Sequence, residues 1–89
     1  MQLIISTPKG SLSPIECDSV HLNISDDAKG KNGGSYGIRK GHVKSLFALE
    51  KGNVTALLNG KTVYSAKTTN GFATVDNNVV TVVVEEFIE

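Results

Sequence analysis

The chain predicts an all-β domain, an antiparallel sandwich or barrel, on three observations. Val20, Leu22 and Ile24 alternate with His21 and Asn23, the period of a strand with one buried face. Asn59-Gly60 and Asp76-Asn77-Asn78 each stand between runs of strand-forming residues, the first a hairpin turn that needs positive φ and the second a turn whose Asx residues tolerate the left-handed region. No segment carries an apolar stripe at helical spacing over three turns. Short strands with a turn signal every ~8–12 residues are the mark of a sandwich or barrel.

Leu3-Ile4-Ile5 opens the chain as a short apolar strand, stopped by Pro8 and Gly10. Val20–Ile24 is the next strand, and the polar, glycine-rich stretch Asp26–Gly34 reads as a loop. Tyr36–Arg39 and Lys44–Leu49 are two further strands, with Phe47-Ala48-Leu49-Glu50 the one place where a helical turn competes. Asn53–Leu58 and Lys61–Lys67 pair as a hairpin about Asn59-Gly60. Phe72–Val75 and Val79–Glu86 pair about Asp76-Asn77-Asn78. Val79–Val84 is apolar on both faces, which places it centrally or beneath a partner. Gly34, Gly37 and Gly41 surround the apolar step at Ile38 and imply a bent β segment. Gly37 is expected either to take positive φ or to approach a neighbouring backbone too closely for a Cβ.

The 89 residues form one domain, 1–89, with no repeat and no linker to divide them. Nine basic and nine acidic residues cancel, which argues against nucleic acid and against a polybasic membrane anchor. The N-terminal apolar run is too short for a signal peptide, and no run approaches the ~20 apolar residues that span a bilayer. A single cysteine, Cys17, forms no internal disulfide and fits a reducing compartment. The reading is therefore a cytoplasmic chain that does not insert into the membrane but can rest against a membrane complex.

Chemistry-bearing patterns fail one after another. Gly34–Gly41 is not followed by Gly-Lys-Ser/Thr or a helix to face a phosphate, so no cofactor is expected. His21 and His42 have no second cysteine and no carboxylates at ligand spacing, so no metal is expected. His42 has no nucleophile nearby and reads as an oriented structural or interface histidine, and His21 as a solvent-facing strand residue. Cys17 lies between Glu16 and Asp18, which disfavour its thiolate. Ser6, Ser11 and Ser13 sit in no nucleophile elbow, and Glu85, Glu86 and Glu89 read as a solvated tail.

Five segments, in order, resemble one family. They are Leu3-Ile4-Ile5-Ser6-Thr7-Pro8-Lys9-Gly10, Ser19–Ile24, Gly34-Ser35-Tyr36-Gly37-Ile38 leading to Gly41-His42, Leu49-Glu50-Lys51-Gly52-Asn53-Val54, and Asn70–Val82. Together they are similar to the N-terminal β domain of the epsilon subunit of rotary ATP synthases, called delta in mitochondria. Lys40 stands where that family usually has proline, Val43-Lys44 replaces its usual Ala-Pro, and the loop after Ile24 is longer.

The resemblance implies a flattened, mostly antiparallel β-sandwich. It implies a non-catalytic central-stalk subunit, joined to the gamma shaft and resting on the c-ring at the inner face of the cell membrane. It places Ser6, His42, Leu46 and Phe47 toward gamma, with Phe47 as anchor or, equally, as core. It places Ser35, Tyr36, Arg39 and Lys40 toward the c-ring. The family's C-terminal helical hairpin is not expected within residues 1–89: either the chain is a short member or one domain of a longer one. The alternative from another class is a stand-alone β-sandwich module binding a peptide or glycan.

Overall fold

A computed structural model describes residues 1–24 and 34–88. Among these the chain forms eleven strands: β1 (Gln2–Thr7), β2 (Gly10–Ser11), β3 (Ile15–Glu16), β4 (Ser19–Ile24), β5 (Gly34–Arg39), β6 (Ser45–Leu49), β7 (Gly52–Leu58), β8 (Lys61–Thr68), β9 (Gly71–Asp76), β10 (Val79–Val84) and β11 (Phe87–Ile88). They fall into two leaves. One runs β11-β8-β7-β4-β5, the other β6-β9-β10-β1 with β2 and β3 beside β1. A single pairing, Ile24 with Leu49, joins the leaves through hydrogen bonds. The extents of 33 × 30 × 22 Å are those of a flattened body.

Every strand pair is antiparallel except one. β1 lies parallel to β10, from Gln2 opposite Val79 to Ser6 opposite Val83. Asn59 and Gly60 both take positive φ (54° and 78°), as a tight two-residue hairpin demands. The second hairpin turns at Asn77 and Asn78 (φ 55° and 64°), with Asp76 still paired to Val79. Asparagine tolerates this region because its short amide can satisfy nearby backbone.

The core between the leaves is aliphatic: Leu3, Ile5, Val20, Leu22, Ile38, Val80 and Val82 are all but fully buried. None of the five aromatic rings is. Phe47, Tyr64 and Phe87 pack half-buried against the core, while Tyr36 and Phe72 are exposed. Phe47-Ala48-Leu49-Glu50 makes no helical turn; its first three residues belong to β6.

Several expectations need correction. Of the stretch Asp26–Gly34 read as a loop, Gly34 opens β5 and the rest lies outside the described residues. β10 lies centrally between β9 and β1, yet only Val80, Val82 and Val84 are buried; Val79, Thr81 and Val83 remain half-exposed. It ends at Val84 rather than Glu86, because Thr69 Oγ1 accepts the backbone N–H groups of Glu85 and Glu86 and turns the chain toward β8. Gly37 has ordinary strand φ, and a Cβ there would sit 3.5 Å from the His21 ring, an unstrained contact. The glycines that need their missing side chain are elsewhere. At Gly71 a Cβ would strike the Val83 carbonyl, and at Gly52 it would strike the Asn23 side chain.

Candidate interaction surfaces

Strand alternation gives each leaf an inner and an outer face, and the two outer faces differ. On the leaf containing β10, cross-strand pairing lines up Ser6, Val83, Phe72 and Ala48 in one row, and Ile4, Thr81, Thr74 and Leu46 in the next. Leu46 is 70% exposed and Phe72 45%, and they border a shallow apolar hollow with Phe47 and Ala48. Apolar side chains exposed singly are ordinary, whereas a contiguous cluster is where a partner can bind. The outer face of the other leaf is mixed: His21, Asn23, Asn53 and Thr55, with Leu57, line a shallow hollow of about 360 Å³, while Val63 on β8 and Ile88 on β11 stand exposed singly.

Where β5 and β6 border their separate leaves, three rings close the gap. Tyr36 and Phe47 have centroids 5.0 Å apart, and His42 meets each edge-on at 5.9 Å. Since a carbonyl only accepts, His42 Nδ1–H donates to the Val43 carbonyl at 2.8 Å. Nε2 of the neutral ring is then the acceptor, and the Tyr36 hydroxyl donates to it at 3.0 Å. The loop carrying His42 is pinned further by Gly41, which takes φ of 81° and donates its N–H to Asn78 Oδ1 at 2.9 Å.

Nothing in this arrangement does covalent chemistry. The nearest groups to His42 are a phenol, a phenyl ring and a carbonyl, and no group of three or more metal-ligating side chains forms among the described residues. Cys17 is fully buried, and that burial, more than its acidic neighbours, pushes its thiol above the usual cysteine range.

The model of the ATP synthase delta/epsilon chain β-sandwich domain matches residues 1–89, the whole of the sequence. The chain belongs to this family. Two solved assemblies share the fold of this delta/epsilon domain. One is the central stalk and c-ring of the Tetrahymena thermophila mitochondrial ATP synthase, at 15% identity and a TM-score of 0.73, covering 99% of this chain and 65% of that one. The other is the OSCP, F1 and c-ring assembly of the Euglena gracilis mitochondrial enzyme in rotational state 1, at 19% identity and a TM-score of 0.75, covering 97% and 51%. The chain thus spans between half and two thirds of the chains it matches. No curated protein matches it closely enough to count.

The structure redistributes the residues that the delta/epsilon resemblance singled out. Ser6 and Leu46 share the apolar outer face, in adjacent rows. Phe47 borders the same hollow, but neighbouring residues of a strand point to opposite faces, and its ring packs half-buried against the core. His42 stands with Phe47 and also with Tyr36, so the ring cluster mixes residues assigned to gamma with one assigned to the c-ring. Tyr36, Arg39 and Lys40 follow one another along β5 and the turn after it rather than gathering at one tip. Ser35 pairs with Asn23 in β5, and its side chain lies outside the described residues. The sequence reading missed Ile4, Phe72 and Val83. The phase of Phe72-Ala73-Thr74-Val75-Asp76 carried the signal, for Phe72 falls in step with Thr74 and Asp76 on the outer side.

Proposed function

We propose that this delta/epsilon domain is a non-catalytic part of the central stalk of a rotary, proton-driven ATP synthase. It grips the gamma shaft through the outer face of Ile4, Ser6, Leu46, Phe72 and Val83. It meets the c-ring through the β5 side, near Ser35 and Tyr36, with Arg39 and Lys40 as polar contacts. The observation that carries the gamma contact is the clustering of Leu46, Ala48 and Phe72 about one open apolar hollow, where the other outer face exposes its apolar side chains singly among polar ones. A close-packed sandwich suits a coupling part, because a dense interior transmits strain. Through the complex the domain takes a peripheral place on the cytoplasmic side of the membrane; no helix among the described residues is long and apolar enough to cross one.

Binding to a cognate gamma subunit tests this. Leu46→Lys and Phe72→Ser alter exposed positions and should leave folding nearly intact. Each should weaken gamma binding by about 2 kcal/mol, since contact energy concentrates in a few central apolar groups. Wild-type indifference to gamma would overturn the reading. The polar hollow at His21, Asn23, Asn53 and Thr55 favours a second reading, a module binding peptide or glycan; saturable glycan binding lost on Asn53→Ala, without gamma binding, would establish it.

A further inference from the structure

Arg39, Lys40 and Lys44 place three of the chain's nine cations within six residues. Among the described residues Arg39 and Lys40 have no ion-pair partner, and Lys44 has only Asp76 at 3.9 Å, both largely in water. A pair so exposed holds neither charge back from another partner. Val43, between them, is 73% exposed.

An exposed, cationic loop of this kind is ordinarily loose, because like charges repel and nothing anchors the backbone. This one is held at Arg39, Gly41, His42 and Val43. His42 N–H returns to the Arg39 carbonyl at 3.2 Å. Gly41 N–H reaches across to Asn78 Oδ1, the His42 ring bridges the Val43 carbonyl and the Tyr36 hydroxyl, and Ser45 Oγ donates to the same Val43 carbonyl at 2.9 Å. The loop therefore carries its cations on a fixed backbone, so the backbone share of the ordering cost is already met in the folded domain while the cationic side chains keep their freedom.

We propose that Arg39–Lys44 is a preorganised docking site for a carboxylate-rich segment of a partner protein, one apolar side chain of which covers Val43. Charge complementarity selects the acidic partner; the exposed valine between the cations selects a segment with an apolar residue among its acids. Tyr36 is a positioning residue here, acting through His42. Arg39 and Lys40 are the residues proposed above as c-ring contacts; the site is defined here by its chemistry, an acidic segment whichever partner carries it, so its failure and the failure of the stalk reading are separate outcomes.

The test uses the isotope-labelled chain and a short synthetic peptide with one leucine flanked by aspartates and glutamates. The expected result is saturable chemical-shift change at the amides of residues 39–44, absent with the same peptide carrying lysines in place of its acids. Combined Arg39→Ser and Lys40→Ser should weaken binding about tenfold and flatten its salt dependence. Arg39→Lys should largely retain it. Tyr36→Phe, which keeps the ring but frees the loop, should weaken it about two- to threefold. Shifts that survive the double substitution, shifts scattered over the surface, or a loop that responds only to vesicles of anionic phospholipid would each overturn the proposal.

Discussion

Gly71 should be among the least replaceable of the described glycines, and Gly37 one of the most replaceable. Gly71 is paired on both sides, with Leu49 of β6 and Val84 of β10. A Cβ there would overlap the Val83 carbonyl oxygen, lie 3.1 Å from its carbon and lie 3.0 Å from Val84 Cγ1. A backbone carbonyl cannot swing aside as a side-chain tip does, so one of the two ladders must open. Overpacking of this kind costs ~1–3 kcal/mol, and Gly71→Ala belongs in the upper half of that range because backbone must move. At ~4–8 °C per kcal/mol for a domain this size, a loss of about 2 kcal/mol lowers Tm by roughly 8–16 °C. Gly37→Ala meets only the His21 ring at 3.5 Å, with no positive φ to oppose it. There alanine reduces the freedom of the unfolded chain and should be neutral or stabilising by up to about 0.5 kcal/mol. Urea and thermal unfolding, followed by far-ultraviolet circular dichroism, compare the two directly. The reasoning fails if Gly37→Ala proves the more damaging.

Other perturbations have equally definite outcomes. Phe47→Ala should destabilise the free domain by about 2 kcal/mol, because the ring packs on the core and on Tyr36; a loss of gamma affinity with unchanged stability would put Phe47 in the interface instead. Thr69→Val removes the acceptor for the Glu85 and Glu86 amides, costing about 1 kcal/mol, and hydrogen exchange should show β11 fraying before the other strands. Asn78→Gly keeps the turn but loses the Gly41 contact, so the Gly41 amide should exchange faster while Tm changes little. Cys17 has its thiol pKa raised in the fold, chiefly by burial. Its contribution to stability is whole below the unfolded thiol pKa and declines as pH rises from there toward the folded value; Cys17→Ala should flatten that alkaline decline, and iodoacetamide should label the native thiol far more slowly than the unfolded one.

What was legible in the sequence was local. Alternation at Val20 and Leu22 fixed which face of β4 is buried, and the Asn-containing turns located both hairpins. Positions whose meaning depends on a distant strand were not legible. Gly71 is constrained by Val83 and Gly37 is not, yet each is simply a glycine beside an aromatic residue in the chain. Leu46 and Phe47 look like an apolar pair until the pleat sends them to opposite sides. Thr69 gives no sign in one dimension that it will receive two amides from residues 85 and 86. The ring cluster was beyond reach for the same reason: its members come from β5, the following loop and β6, and only the meeting of two leaf edges brings them together.

The parallel pairing of β1 with β10 also governs the order in which this protein can complete itself. Leu3 finds its place beside Val80, seventy-seven positions later in the chain. At ~5–20 residues per second of synthesis, the opening strand waits on the order of ten seconds for that neighbour to be made. Through that interval β1 has β2 and β3 beside one edge, but its other edge, along Leu3, Ile4 and Ile5, has no permanent neighbour. The hairpins of β7–β8 and β9–β10 can zip as soon as they are made, whereas closure of the sandwich is a late, non-local event of the kind that slows folding. A nascent chain of this design is most exposed to misassociation at its beginning, and the final strands, β10 above all, bring that exposure to an end.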